Sequence, residues 1–121
     1  MNVKPIFRIF DYKKTKEFYV DWLGVKILGE HKFCENCPLY IRVSLGDLEL
    51  HLSEHHGDCS PGARVLVEDF PNLEAFHKSL IAKDYKYNKP GLERAFWDKE
   101  LITMQVTDPF GNKITFTERK P

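Results

Sequence analysis

The sequence has no excess of charge and no long apolar run, and both shortages exclude classes of function. Eighteen basic side chains balance eighteen acidic ones over 121 residues, and neither sign forms a stripe of the kind that binds nucleic acid or an anionic membrane. No apolar stretch approaches the roughly 20 residues needed to span a bilayer. We therefore expect neither nucleic acid nor a membrane among the partners.

The first apolar stretch does not have the composition of a targeting segment. Val3–Phe10 is shorter than the apolar core of a secretory signal peptide and contains Arg8. No run of small residues resembling a cleavage site follows it. The expected location is therefore the cytoplasm.

Cysteine is also scarce, with Cys34, Cys37 and Cys59 as the only three. Three cysteines cannot all pair within one chain, and a reducing compartment favours free thiols. We therefore expect no structural disulfide. The spacing Cys34-x-x-Cys37 leaves an alternative, a tetrahedral zinc site completed by Cys59 and by His55 or His56.

What the sequence does contain is enough apolar material for one compact domain, with 42% hydrophobic residues. Its periodicity predicts a strand, an amphipathic helix and three more strands: Val3–Phe10, Tyr12–Leu23 with Gly24 as its C-terminal cap, Val25–His31, Leu39–Ser44 and Leu48–Leu52. A tight turn at Gly46-Asp47 joins the last two strands. The turn-rich stretch Ser53–Gly62 then has no periodicity and is typical of a connection.

The second half repeats this order. Its predicted elements are a strand Ala63–Val67, a helix Leu73–Lys83 with Asn72 near its N-cap, a short strand Tyr85–Lys89, an irregular loop Pro90–Asp98, and strands Leu101–Thr107 and Lys113–Glu118. The fold class is therefore α+β. We expect a single domain, 1–121, made of two βαβββ modules at about 1–54 and 62–121, joined by a linker at 53–62.

Three stretches carry a family resemblance: FYVDWLG at Phe18–Gly24, LHLSEHHGDCSPG at Leu50–Gly62 and VTDPFGNKITFTE at Val106–Glu118. The last is common to much of the vicinal oxygen chelate, or glyoxalase-like, superfamily. The middle one is similar to bleomycin-resistance proteins. The resemblance implies paired βαβββ modules whose curved sheets each carry one helix and form a cup. It also implies a homodimer in which both subunits contribute to a ligand crevice.

The resemblance also tells us where a metal would be held. Enzymes of this superfamily take one His or Glu from each of four strands. The corresponding places fall at Lys4 or Pro5, at His51, between Gly62 and Arg64, and at Thr115. Only His51 could bind a metal, and a catalytic ion generally needs three protein ligands or more. We therefore expect no metal and no other cofactor, and an enzymatic activity is less expected than simple binding.

Strand alternation predicts which side chains face the cup. One parity places Tyr40, Arg42, Ser44, Glu49, His51, Thr103, Gln105 and Thr115 inward, and the other places Ile41, Val43, Leu48, Leu50, Ile114 and Phe116 against the helices. The aromatics Phe33, Phe96, Trp97 and Phe110 fall in predicted loops or at strand ends, where they could contact a ligand or a dimer partner. The candidate ligand-binding residues are Phe33, Tyr40, Arg42, Glu49, His51, Trp97, Gln105 and Phe110.

The resulting hypothesis is a non-catalytic protein that sequesters a bleomycin-like glycopeptide antibiotic in a dimer crevice. Two alternatives remain open. One is a metal-dependent glyoxalase- or dioxygenase-type enzyme, and the other is a family member that binds a different small metabolite. Arg42 and Lys4 in or near the cup and the neutral net charge leave room for an anionic or neutral aromatic ligand.

Overall fold

The computed structural model describes residues 1–121 and divides into two compact units. Unit 1 comprises Met1–Ala63 together with Asp108–Asn112, and unit 2 comprises Arg64–Thr107 together with Lys113–Pro121. Each unit holds one four-stranded mixed sheet and one helical region. The predicted α+β class with two βαβββ modules is confirmed. No helix is both long enough and apolar enough to cross a membrane.

Unit 1 contains the strands β1 (Ile6–Arg8), β2 (Lys26–His31), β3 (Tyr40–Leu45) and β4 (Leu48–Ser53). They are ordered β1-β4-β3-β2, with β1 parallel to β4 and the other pairs antiparallel. Strand β1 is shorter than the predicted Val3–Phe10. Pro5 accepts a hydrogen bond from the His51 backbone N–H at 2.9 Å but has no N–H to donate, so the ladder begins only at Ile6.

The helix of unit 1 begins and ends as the sequence predicts. The Asp11 carboxylate accepts the Lys14 backbone N–H at 2.9 Å, which caps helix α1 (Tyr12–Thr15). The helix continues as a π-helical segment, Lys16–Leu23, and Gly24 ends it with a φ of 86°. Four apolar side chains at the predicted spacing are buried: Phe18, Tyr19, Trp22 and Leu23.

The Asp108–Asn112 turn is an integral part of unit 1. One Asp108 oxygen accepts the backbone N–H groups of Phe110 and Asn112, and the other accepts the Tyr19 hydroxyl at 2.7 Å and the Asn112 side-chain amide at 2.8 Å. The same amide donates to the Arg8 carbonyl at 2.8 Å. Burial raises the pKa of Asp108, against the lowering effect of these hydrogen bonds.

Unit 2 contains β5 (Arg64–Val67), helix α2 (Leu73–Ala82), β6 (Glu93–Ala95), β7 (Asp98–Thr107) and β8 (Lys113–Arg119). The sheet order is β5-β8-β7-β6, with β5 parallel to β8. Phe70, Phe76 and Phe116 form an aromatic cluster with ring centroids 4.8 to 5.6 Å apart. With Leu73, Leu80, Met104 and Ile114 they make up much of the core of this unit.

The predicted strand Tyr85–Lys89 is wrong, because that stretch is a turn. The Asn88 backbone N–H donates to the Tyr85 carbonyl at 3.2 Å, and Lys89 folds back onto Asp84 at 2.7 Å. The edge strand is instead β6, inside the segment Pro90–Asp98 that the sequence predicts to be irregular. Strand β7 begins three residues earlier than predicted, at Asp98, so a hairpin replaces the expected loop.

The start of helix α2 differs from the expectation in its chemistry. Asn72 stands at the N-cap position, but its backbone is left-handed, with a φ of 57°, and its side chain makes no capping bond. The Glu118 carboxylate of β8 accepts the backbone N–H groups of Asn72 and Leu73, both at 2.9 Å. A residue 46 positions away therefore satisfies the helix end, and no local sequence pattern indicates it.

The expectation of free thiols is wrong for two of the three cysteines. Cys34 and Cys37 form a disulfide, and only Cys59 is free. Their Cα atoms are 4.9 Å apart, because the chain turns between them with a hydrogen bond from the Cys37 N–H to the Cys34 carbonyl. The pairing removes the thiolates that the alternative zinc site would need.

Thiol titration of the denatured protein tests the pairing. Without reductant we expect one reactive thiol per chain, from Cys59, and after reduction we expect three. Blocking free thiols before denaturation guards against exchange during the measurement. Three reactive thiols in protein that was never reduced would contradict the pairing.

Glu118→Ala should lower the free energy of unfolding by about 1 kcal/mol, because it removes the cap of helix α2. The hydrogen bond from the Leu73 N–H lowers the pKa of Glu118 below its ordinary value. The carboxylate therefore stabilises the fold above the ordinary glutamate pKa, and this contribution disappears as the pH falls through the lowered value. Urea unfolding at pH 7 and in the acid range measures the difference.

The matched control for this prediction is Glu35→Ala, which changes an exposed glutamate in a loop of unit 1. We expect this variant to unfold like the parent protein at both pH values. An equal loss of stability in the two variants would show that the capping bond contributes nothing specific.

Candidate functional site

The sheet of unit 1 carries a chain of hydrogen-bonded titratable side chains on its polar face. The Glu49 carboxylate contacts Lys4 Nζ at 3.5 Å and His51 Nε2 at 2.7 Å, and His51 Nδ1 lies 2.6 Å from the Tyr40 hydroxyl. Strand alternation and register bring Tyr40 and His51 together. Arg42 of β3 pairs with His51 of β4, and Tyr40 lies two positions before Arg42, on the same face of the sheet. The result is a Lys4–Glu49–His51–Tyr40 network.

The electrostatics of this network follow from its hydrogen bonds. The bond with His51, and then the charge of Lys4, lower the pKa of Glu49, so that side chain is a carboxylate at neutral pH. Burial raises the pKa of Tyr40, with further contributions from the negative charges of Asp58, Cys59 and Glu49. Tyr40 is therefore a neutral phenol at neutral pH.

Tyr40 also lines a cavity of about 410 Å³, here called the unit 1 cavity. Its walls are His31, Phe33, Cys37, Pro38, Leu39, Tyr40, His55 and Asp58. Phe33 is 88% exposed at the rim and meets the His31 ring edge-on at 4.6 Å. Two predicted ligand residues, Phe33 and Tyr40, thus share one concave surface.

Unit 2 has a cavity of its own, of about 310 Å³, here called the unit 2 cavity. Its walls are Arg64, Gly91, Glu93, Arg94, Phe96, Trp97, Thr103, Gln105 and Thr115. Thr115 accepts from Arg64 at 3.3 Å and donates to Gln105 at 3.2 Å, which orders the polar floor. Phe96, 96% exposed, and Trp97, 46% exposed, form an aromatic rim.

The eight predicted ligand residues are divided between the two units. Phe33 and Tyr40 line the unit 1 cavity, and Trp97 and Gln105 line the unit 2 cavity. Glu49 and His51 stand behind Tyr40 in the network. The remaining two line neither cavity. Arg42 is exposed on β3 beside Gly29, and Phe110 packs against Phe10 with ring centroids 6.0 Å apart.

The sequence reasoning did not select several lining residues as ligand contacts. Asp58 lies in a stretch without periodicity, and its neighbour Ser53 holds it by a 2.6 Å hydrogen bond. Glu93 and Arg94 belong to strand β6, where the sequence pattern predicts a loop. Parity on β5 could have identified Arg64, because it pairs with Lys113, two positions before Thr115 on β8.

Comparison with known proteins identifies the family. A family model described as glyoxalase superfamily protein matches residues 1–121. The chain belongs to the glyoxalase superfamily. A search among curated proteins finds no match.

Solved structures of this superfamily share the fold. The bleomycin-binding protein from the bleomycin-producing Streptomyces verticillus, complexed with copper(II)-bleomycin, has a TM-score of 0.69 and 22% identity over 99% of this chain and 97% of its own. The bleomycin resistance determinant encoded on transposon Tn5 has a TM-score of 0.71 and 18% identity over 100% and 99%. A glyoxalase family protein from Enterococcus faecalis has a TM-score of 0.70 and 17% identity over 98% and 97%.

The residues that the resemblance assigns to the superfamily's metal positions do not fit a metal. Lys4 is ion-paired to Glu49, and Arg64 donates to Thr115. His51 has a hydrogen-bond partner on each ring nitrogen. No group of three or more His, Cys, Asp or Glu side chains in the structure could hold a metal ion.

The network fixes the tautomer of His51. With the Glu49 carboxylate as an acceptor, we expect neutral His51 to carry its proton on Nε2 and to accept from Tyr40 on Nδ1. Long-range ¹H–¹⁵N NMR spectra of the histidine rings at pH 7.5 would show this directly. Glu49→Ala should weaken the preference, whereas Glu54→Ala should leave it unchanged. A proton on Nδ1 in the parent protein would contradict the arrangement.

Proposed function

We propose that this protein is a non-catalytic binding protein for a small molecule with a flat aromatic group. The observation that carries the proposal is the unit 2 cavity, where exposed Phe96 and Trp97 stand over a polar floor of Thr103, Gln105 and Thr115. Aromatic walls with a few placed polar groups are typical of small-molecule sites. The rim supplies stacking area, and the floor supplies orientation.

The substitution of metal-ligand positions supports binding rather than metal-assisted chemistry. The resemblance assigns two metal-ligand positions to Lys4 or Pro5 and to the stretch between Gly62 and Arg64, where Lys4 pairs with Glu49 and Arg64 donates to Thr115. A cation repels a divalent ion instead of coordinating it. The metal-dependent alternative therefore finds no support among the residues present.

A glycopeptide of the bleomycin type is the first ligand that we propose. Two of the solved neighbours are a bleomycin-binding protein and a bleomycin resistance determinant, and the drug contains a flat bithiazole that an exposed tryptophan can stack against. We further propose that the protein acts as a homodimer. Phe96 and Trp97 offer the exposed aromatic area that such an interface uses.

A second ligand class is favoured by the charge of the unit 2 cavity. Its walls contain Arg64 and Arg94 against the single carboxylate of Glu93, and the chain as a whole has no net charge. An aromatic carboxylate would be attracted to this surface, whereas a cationic drug would gain little. A small anionic aromatic metabolite is therefore the alternative occupant.

Calorimetric titration with metal-free and copper-loaded bleomycin tests the first ligand. We expect saturable binding of one drug molecule per chain, and sedimentation should show a dimer. Trp97→Ala should weaken binding at least tenfold, because truncation of an aromatic anchor costs about 2 kcal/mol or more. No heat at any drug concentration would exclude bleomycin, and saturable binding of an aromatic carboxylate would then favour the second class.

Tyr87→Ala is the matched control. It removes another exposed aromatic side chain of unit 2, one that does not line the cavity. Its affinity should equal that of the parent protein. Equal losses in the Trp97 and Tyr87 variants would argue against a site at the unit 2 cavity.

A further inference from the structure

The unit 1 cavity differs in charge from the unit 2 cavity. Its walls include the carboxylate of Asp58 but no lysine or arginine. A second carboxylate stands beside it, because Glu54 accepts the backbone N–H of the lining residue Leu39 at 2.9 Å. These two carboxylates, with no lysine or arginine in the walls, make the cavity electronegative.

The hydrogen-bond network sets the chemistry that Tyr40 can offer. Glu49 can only accept, so a neutral His51 donates from Nε2 and accepts at Nδ1, and in that state the Tyr40 hydroxyl gives its proton to Nδ1 at 2.6 Å. The phenol oxygen then keeps only lone pairs for a ligand. Tyr40 therefore contributes an acceptor to the cavity and no donor.

Asp58 is an acceptor of the same kind. One of its oxygens accepts the Ser53 hydroxyl at 2.6 Å, which fixes the orientation of the carboxylate. The other is 3.9 Å from His55 Nδ1. That nitrogen already accepts the Gly57 backbone N–H at 3.1 Å, so it has no proton to give Asp58 when His55 is neutral. One carboxylate oxygen thus remains open to a donor.

Aromatic rings make up much of the rest of the walls, beside Cys37, Pro38 and Leu39. Phe33 and His31 meet edge-on at the rim, and the Tyr40 ring meets the His51 ring edge-on at 5.3 Å. Aromatic faces attract cations through their quadrupole, and they stack against planar groups. A flat group that carries positive charge and N–H donors would satisfy the walls and the acceptors together.

We propose that the unit 1 cavity binds the planar cationic N–H end of a small molecule, such as an amidinium on an aromatic ring. Asp58 and the Tyr40 oxygen would accept its protons, and Phe33 would cover its ring. The inference rests on the proposed ligand-binding function and extends it by giving the chain a second cavity with the opposite charge preference.

Benzamidine and benzoate form a matched pair of probes. Each has a phenyl ring and a planar end group, but the amidinium is positive and the carboxylate is negative. Each would be titrated into ¹⁵N-labelled protein at pH 7.5, with amide shifts followed by NMR. We expect benzamidine to cause saturable shifts around Phe33, Tyr40 and Asp58, and benzoate to cause none there. Equal or stronger binding of benzoate at these residues would overturn the proposal.

Two conservative variants test the two acceptors without disturbing the fold. Asp58→Asn keeps an oxygen for Ser53 but removes the charge, and Tyr40→Phe keeps the ring but removes the oxygen. We expect each to weaken benzamidine binding fivefold or more while the amide spectrum elsewhere stays the same. Unchanged affinity in both variants would overturn the assignment of the acceptors.

Trp97→Ala provides the control in unit 2 and should leave benzamidine binding unchanged. It also separates this proposal from the preceding one. Benzamidine shifts at the unit 1 cavity without any bleomycin binding would support the cation site and remove the drug as ligand. Benzamidine shifts confined to Phe96 and Trp97 would overturn the cation site, whatever bleomycin does.

Discussion

The buried hydrogen-bond cluster of Asp108 and Asn112 is the constraint on which unit 1 depends. Asp108 accepts from Tyr19 on the π-helical segment, and Asn112 donates to the carbonyl of Arg8 on β1. A third bond runs from the Ala63 backbone N–H to Asn112 Oδ1 at 3.2 Å. The Asp108–Asn112 turn is thus bonded to the π-helical segment, to β1 and to Ala63.

Because the cluster is buried, the loss of any one of its hydrogen bonds would be costly. Tyr19 is 1% exposed and Asn112 is 1% exposed, and a buried polar group without a partner costs about 1 to 3 kcal/mol. Burial also raises the pKa of Tyr19 well above its ordinary value, with the charge of Asp108 adding to the effect. Each member is tolerated in the interior only because the others are present.

The polar face of the unit 1 sheet is also held by side chains that bond to one another. The resemblance assigns His51 to a metal-ligand position, yet Glu49 and Tyr40 contact its two ring nitrogens. Lys4 forms an ion pair with Glu49 at 3.5 Å. These side chains therefore satisfy one another by hydrogen bonds and an ion pair. Tyr40, the last member of the network, lines the unit 1 cavity.

The two cavities differ in the charge of their walls. Arg64 and Arg94 dominate the charge of one, and Asp58 that of the other. Each combines exposed aromatic area with a few ordered polar groups, which is how small-molecule sites obtain both affinity and orientation. A chain without net charge can therefore contain surfaces of opposite charge, which its net charge does not reveal.

The sequence by itself determined the fold class, the two helical regions and most strands, because periods of two and of three to four residues separate buried from exposed positions. Ile41, Val43, Leu50, Ile114 and Phe116 are buried as their parity predicts. Only Leu48, at the start of β4, stays half-buried. Local signals also placed the cap at Gly24 and the turn at Asp108–Asn112, since both depend on residues next to one another in the chain.

Only the tertiary structure decided the features that join residues distant in sequence. The Glu118 cap of helix α2 and the grouping of Tyr40 with Asp58 in one cavity depend on chain paths that periodicity does not encode. The β6 strand forms at Glu93–Ala95 because β7 offers it an edge, although its own residues indicate a loop. Alternation determined which face of a strand each side chain occupies. Only folding decided which strand and loop residues lie close together, because the paths of the loops set the distances between them.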